Sequence, residues 1–161
     1  MAVEEEGEQP GTVKGQVFAK LLDEEFNQFC FDCGKSFKLF YLTNVGMVLG
    51  WPNPTHVSMN HGIFLCANCA TGIHIEHYPV EVSFIKAIGE DEFNYCQLNV
   101  LINGGNKAAF DFFEVYDLQH EPVQKRYNTL AAQFYREKLR DLVNQTNTSK
   151  DGSMPAIETG R

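Results

Sequence analysis

The sequence predicts an α+β domain, a small sheet beside a thiol cluster followed by helices, and three observations carry that prediction. Two C-x-x-C pairs, Cys30/Cys33 and Cys66/Cys69, punctuate the first half of the chain. Stretches rich in β-formers lie between and around them, whereas apolar residues at helical spacing occupy the second half. At 161 residues and 43% hydrophobic side chains, the chain has the size of one domain and enough apolar matter for a core.

In chain order, residues 1–14 read as an acidic tail, residues 15–144 as the domain and residues 145–161 as a polar tail. Val17, Phe18, Leu21, Leu22 and Phe26 recur at helical spacing, predicting a short amphipathic helix that leads into the first pair. Phe37–Leu42 and Met47–Trp51 flank the turn residues Thr43-Asn44-Val45-Gly46 and predict a hairpin. Gly62–Leu65 reads as a strand running into Cys66, and Val80–Ile85 fits either period. Glu90–Asn103 predicts a helix with acids in its first turn, stopped by Gly104-Gly105. Its inner face is Phe93, Cys96, Val100 and Leu101, which makes the fifth cysteine a small buried residue. Asn106 is placed to cap a helix over Lys107–Tyr116 with Phe110 and Phe113 inward. Pro122 opens a last helix with Tyr127, Leu130, Ala131, Phe134, Leu139 and Leu142 as its buried stripe.

The cysteine spacing carries the chemistry. Each C-x-x-C is a knuckle that can aim two sulfurs at one point, and two knuckles complete a tetrahedral S₄ shell. One Zn²⁺ on Cys30, Cys33, Cys66 and Cys69 suits that shell, and with no open position the site is structural. Two disulfides, a redox pair or a rubredoxin-like iron are the alternatives; a reduced compartment argues against disulfides, and nothing favours iron.

Composition removes whole classes of function. A formal net charge of −8 with no basic stripe disfavours nucleic acid and autonomous docking on an anionic membrane. The longest apolar stretch, Leu39–Trp51, is too short and too interrupted to span a bilayer. The first residues are acidic and lack Arg, unlike a presequence or secretory signal, so a cytoplasmic location is the default; import without a cleavable presequence stays open. No G-x-x-x-x-G-K-[ST] loop is present, so the chain is not itself a nucleotide hydrolase of that type. His74 and His77 form H-x-x-H, yet four thiolates make a second metal site unnecessary, and they read as ordinary histidines. His56 and His61 read as surface groups or neighbours of the thiol shell, and Glu90-Asp91-Glu92 as helix-start acids rather than an acid/base cluster.

Four stretches together resemble the catalytic domain of the Arf GTPase-activating proteins. They are Asn27–Gly34 at the first knuckle, Asn53–Cys66 against the pattern N-P-x-W-A-S-x-x-x-G-[IV]-F-L-C, Val82–Ile85 with Gly104-Gly105-Asn106 and Phe112-Phe113, and Tyr127–Ala132 with Tyr135–Lys138. The closing helix and the Phe-Phe pair look most like the coatomer-associated branch. The resemblance implies a zinc-stabilised α+β fold, peripheral association with membranes, and acceleration of GTP hydrolysis on an Arf-type small GTPase. It also implies an arginine finger, whose guanidinium neutralises charge in the phosphoryl-transfer transition state and is worth roughly 10³–10⁵ in rate.

The chain departs from that pattern where the chemistry lies. The family's arginine directly follows the histidine of C-x-x-C-S-G-x-H-R, and here the run Cys66–His74 is followed by Ile75. Glu76 and Glu81 bring carboxylates where a triphosphate would be repelled, His56 replaces the family tryptophan, and Lys86 replaces the arginine of S-F-[IV]-R. Lysine lacks the guanidinium fork, and Lys86 matches a different family position.

The knuckles are also further apart than usual. Thirty-two residues separate Cys33 from Cys66, against roughly sixteen in the family pattern. The surplus, residues 36–52, has no acid and many large apolar side chains, among them Phe40, Met47 and Trp51. It is either a docking element for a partner protein or membrane surface, or an extension folded back on the domain's own sheet. The expectation is therefore a domain with no catalytic residue, serving as a zinc-stabilised binding or structural subunit of a larger assembly. The competing reading is an active GTPase-activating protein in vesicle trafficking, using some other cation or one supplied by the GTPase or by coatomer.

Overall fold

The computed structural model describes residues 11–34 and 53–148. The expected hairpin over Phe37–Leu42 and Met47–Trp51, the whole 36–52 insertion and most of both expected tails lie outside the described residues.

Helix α1, Val13–Asp23, is opened by Thr12, whose hydroxyl accepts from the Gly15 N–H, and buries Val17, Phe18 and Leu21. It stops three residues short of Phe26, and a 3₁₀ turn over Glu25–Gln28 carries the chain into the first knuckle. The sheet is β1 (His56–Ser58), β2 (Ile63–Leu65) and β3 (Ile85–Ala87), all antiparallel in the order β2-β1-β3. Strand β1 is absent from the sequence reading because His56-Val57-Ser58 is too short to show alternation. The turn between β1 and β2 needs Gly62: its φ is +61°, where a side chain is strained, and a Cβ would lie 3.1 Å from the Val100 carbonyl oxygen.

Every residue of β2 is buried although it is an edge strand. Its outward backbone groups are satisfied by neighbours, since Phe64 N–H donates to Asn106 Oδ1 at 2.8 Å and Phe64 O accepts from Phe31 N–H at 2.9 Å. The alternation of β2 separates two clusters. Phe64 joins Val17, Phe18, Leu21, Val57, Leu98 and Leu101 under α1. Ile63 and Leu65 join Cys30, Cys66, Phe113, Tyr127, Tyr135 and Leu139 under the helices that follow.

After the second knuckle, α2 runs over Ala67–Cys69 and widens into a π-type stretch over Ala70–Ile75. Helices α3 (Tyr95–Asn103), α4 (Asn106–Val115), α5 (Val123–Arg126) and α6 (Leu130–Thr148) complete the domain. Four expectations are corrected here. Glu90-Asp91-Glu92 precede α3 instead of opening it: the helix begins at a capping box of Asn94 and Gln97, and Asp91 Oδ2 accepts from Ala87 N–H at 2.7 Å. Because α3 starts at Tyr95, its buried face is Leu98, Asn99 and Leu101, and Cys96 is exposed. Asn106 is the first residue of α4, not its cap; Gly105 holds that place at φ +90°.

The closing helix is two helices. Thr129 Oγ1 donates to Arg126 O at 2.8 Å and accepts from Ala132 N–H at 3.2 Å, ending one helix and capping the next. The break rotates the buried face to Ala132, Tyr135, Leu139 and Val143, leaving Leu130, Phe134 and Leu142 exposed. Helix α6 also continues to Thr148, past the expected start of the polar tail. Among the described residues no helix is long and apolar enough to cross a membrane.

Candidate metal centre and finger position

The two knuckles face each other as the spacing predicts. Gly34 N–H donates to Cys30 O at 2.8 Å and Ala70 N–H to Cys66 O at 3.0 Å, closing each C-x-x-C into a tight turn. Gly34 is required for the first turn, since a Cβ there would sit 2.3 Å from the Cys30 carbonyl oxygen. The four sulfurs of Cys30, Cys33, Cys66 and Cys69 lie within 4.8 Å of one another, and Cys33 Sγ is 3.7 Å from Cys66 Sγ. A tetrahedral site with Zn–S bonds of about 2.3 Å has S–S edges of about 3.8 Å, so the donor set fits zinc. Three of the four cysteines are buried, Cys33 partly so. Held by these thiolates, the ion supplies folding free energy and fixes the knuckles to each other, with no open position for substrate.

The thiols are electrostatically unequal. The thiol of Cys69 hydrogen-bonds Cys30, which brings the Cys30 pKa down to about 5 against the opposing effect of burial. Burial and the Cys30 charge push Cys33 up to about 12, and the bond to Cys30 together with burial raises Cys69. One thiolate thus gathers its neighbours' protons, and a metal ion must displace them.

Between the knuckles and α6 runs a buried polar chain that sequence reading missed. Arg136 Nη1 lies 3.3 Å from His61 Nε2, and His61 Nδ1 lies 3.1 Å from Ser58 Oγ. Ser58 Oγ is 2.8 Å from Ser83 Oγ, which is 2.7 Å from His74 Nδ1; His74 Nε2 is 2.7 Å from Asp32 Oδ2. Arginine only donates and an ionised carboxylate only accepts, so with one proton on each imidazole the direction of every bond follows. Arg136 donates to His61, His61 Nδ1–H to Ser58, Ser58 to Ser83, Ser83 to His74 Nδ1, and His74 Nε2–H to Asp32. Burial, with the charge of Arg136, pushes the His61 pKa well below its ordinary value. Asp32 also accepts from Tyr127 Oη at 2.5 Å and Arg126 Nη1 at 3.4 Å.

His61 and His74 are both fully buried, which corrects the surface reading of His61 and leaves H-x-x-H without a metal role, His77 being exposed. His56 is half-buried, its Nδ1 2.8 Å from Thr55 Oγ1. The signal available beforehand was D-x-x-x…H with two serines nearby, which is too common in sequence to single out.

The residue after His74 faces outward: Ile75 is 60% exposed. Lys86 and Arg126 are engaged. Lys86 Nζ bonds Glu92 O, lies 3.1 Å from Gln97 Oε1 and sits 4.7 Å from the centre of the Phe93 ring. Buried Arg126 spends its guanidinium on Leu118 O, Gln119 O and Glu121 O besides Asp32.

Comparison with known proteins fixes the lineage. Residues 49–148 match the family model described as "Putative GTPase activating protein for Arf". The chain belongs to this family. It is 33% identical over 85% of its length to ADP-ribosylation factor GTPase-activating protein 3 of Macaca fascicularis, of which the match covers 23%. It is 31% identical over 70% of its length to ADP-ribosylation factor GTPase-activating protein GCS1 of Saccharomyces cerevisiae, 27% of that protein. The chain thus spans about a quarter of the length of these curated relatives. The crystal structure of a "putative GTPase activating protein for ADP ribosylation factor" from Cryptosporidium parvum shares the fold, with a TM-score of 0.56, 20% identity and coverage of 83% of this chain and 90% of that one. In this Arf-GAP domain Cys30, Cys33, Cys66 and Cys69 are brought together to hold zinc, while Ile75, the residue after His74, is an exposed aliphatic side chain.

Proposed function

We propose that this Arf-GAP domain does not activate GTP hydrolysis and acts as a zinc-stabilised binding or structural subunit of a larger protein assembly. The observation that carries the reading is Ile75, exposed beside a histidine anchored to the first knuckle. A branched alkyl group has no charge and no donor to offer a phosphoryl-transfer transition state. Lys86 and Arg126 are tied down by backbone carbonyls and cannot serve without breaking those bonds. The names of the relatives support an Arf-type GTPase as one partner; coatomer rests on the resemblance of the closing helix and the Phe112-Phe113 pair, and a cytoplasmic site of action peripheral to membranes rests on the family resemblance.

A second reading has its own support, because the relatives are named as GTPase-activating proteins. In it, the GTPase or another subunit supplies the cation. Single-turnover GTP hydrolysis by an Arf-type GTPase, with and without this protein, separates the two. Binding with no acceleration is the expected result; acceleration above ~10-fold rejects silence.

A further inference from the structure

A groove of about 610 Å³ opens between α3 and α6, walled on the far side by the β1–β2 turn and by residues of the segment that leads into β3. Its size falls in the range of about 300–1,000 Å³ occupied by binding clefts. Met59, Leu139 and Val143 form an apolar floor, and Phe84, 41% exposed, stands at its edge. Helix α6 places two guanidiniums on one wall, Arg136 and Arg140, four residues apart and hence on one face.

The two arginines differ. Arg136 donates to Tyr127 O at 2.7 Å and is half-buried. Arg140 is exposed and, among the described residues, has no hydrogen-bond acceptor and no carboxylate within ion-pair distance. Among the described residues Glu81 is the one carboxylate that lines the groove, and Glu137, between the arginines in sequence, is held by Gln133 at 3.0 Å. In a chain of net charge −8, two like charges over an apolar floor form a local reversal of sign. Their repulsion is relieved by an anionic ligand, and the floor gives that ligand's apolar parts a dry seat.

We propose that this groove docks an acidic peptide segment of a partner protein, its carboxylates on Arg140 and Arg136 and its apolar side chains on the floor beside Phe84. The inference stands whether or not the domain activates a GTPase, so its failure and that of the proposed function are separate. A peptide is favoured over lipid because the arginines line a cleft rather than a flat, multiply basic face, and the chain as a whole carries a net charge of −8.

The probe is a fluorescent amphipathic peptide of alternating Glu with Leu and Phe at helical spacing, titrated by anisotropy against the zinc-loaded protein. Controls are the same peptide with Lys for Glu, a synthetic peptide of residues 1–10 of this chain, and phosphatidylserine vesicles. The expected result is saturable binding of the acidic probe, weakened at least ~10-fold by Arg140→Glu and also by Phe84→Ala, and weakened as salt rises from about 50 to about 300 mM. Both substituted side chains are exposed, so unchanged zinc content and melting temperature confirm folding. The proposal is overturned by no binding at ~1 mM peptide, by equal binding of the Lys peptide, or by indifference to Arg140→Glu. Arg140-dependent binding of vesicles without peptide binding overturns it in favour of lipid. Tighter binding of the 1–10 peptide than of the probe overturns it in favour of the chain's own segment.

Discussion

Asp32 and His74, one inside the first knuckle and the other after the second, meet at 2.7 Å between Oδ2 and Nε2 with both side chains fully buried. The contact ties the zinc turn to the helical stretch that carries Ile75. Because Asp32 also receives Tyr127 and Arg126, it is an acceptor on which three side chains, from the stretch after the second knuckle and from the end of α5, converge.

Removing that acceptor is expected to be costly. Asp32→Ala leaves a buried guanidinium, an imidazole N–H and a phenol without their partner, and loss of one member of a buried charged pair costs about 3–5 kcal/mol. Urea denaturation of the zinc-loaded variant measures it. A loss below about 1 kcal/mol would mean that water replaces the carboxylate and that the network is not structural.

Much of this domain was legible in its sequence, and what was not has physical reasons. Four thiols in two short turns are a local pattern with one economical geometry, so Cys30, Cys33, Cys66 and Cys69 could be assigned together. Asn106 shows the opposite case. Its side chain accepts from Phe64 N–H and donates to Phe26 O and Phe29 O, while its own N–H donates to Asn27 Oδ1. Local pattern makes an asparagine after Gly-Gly a helix cap; only the tertiary structure makes it a clip joining α4, β2 and the first knuckle. The Arg136-to-Asp32 chain was hidden for the same reason, its members being scattered singly through the sequence. The closing helix failed differently: a break over Tyr127–Thr129 shifts the helical phase, so Ala132, Tyr135 and Val143 are buried in place of Leu130, Phe134 and Leu142, and Leu139 alone keeps its expected place in the later stripe.

Zinc uptake should release protons. Cys33 and Cys69 hold theirs near neutrality because burial and the Cys30 thiolate raise them, and zinc binds only thiolate. At pH 7 binding is expected to liberate at least the two protons of Cys33 and Cys69, on the order of one proton for each, and affinity should fall as pH drops. Calorimetric titration in buffers of different ionisation enthalpy reads the count directly; heats independent of buffer contradict it. Chelation should abolish cooperative unfolding, since structural zinc supplies on the order of 10 kcal/mol of folding free energy.

His61 should make the domain sensitive to mild acid. Its pKa is depressed in the folded state because burial and Arg136 oppose a second proton, which would set an N–H against the guanidinium. A depressed folded pKa gives stability that is complete above the unfolded value near 6.5 and is lost as pH falls from there toward the folded value. The first unit below 6.5 is expected to cost about 1 kcal/mol. His61→Gln, which keeps an acceptor for Arg136 and a donor for Ser58, should flatten stability between pH 6.5 and 5.5, as read by denaturation at fixed temperature. An unchanged slope would place the sensitivity elsewhere.

Placing a guanidinium at position 75 is the sharpest test of the proposed silence. Ile75 is 60% exposed, so Ile75→Arg needs no space in the core, and arginine is a better helix former than isoleucine. The residue before it is held by Ser83 and Asp32, so the backbone that would aim the new side chain is already fixed. If the fold still docks on an Arf-type GTPase, single-turnover hydrolysis should rise at least ~10²-fold over the unsubstituted protein, toward the roughly 10³–10⁵ available to an arginine finger. Glu76, exposed beside it, repels triphosphate, so Glu76→Gln on that background should raise the rate further. An Ile75→Lys variant should recover far less, because an ammonium lacks the bidentate fork. Binding without acceleration in Ile75→Arg would show that the docking geometry has changed along with the residue, and equal acceleration over the GTPase alone by the unsubstituted and substituted proteins would show that the domain already draws its cation from elsewhere.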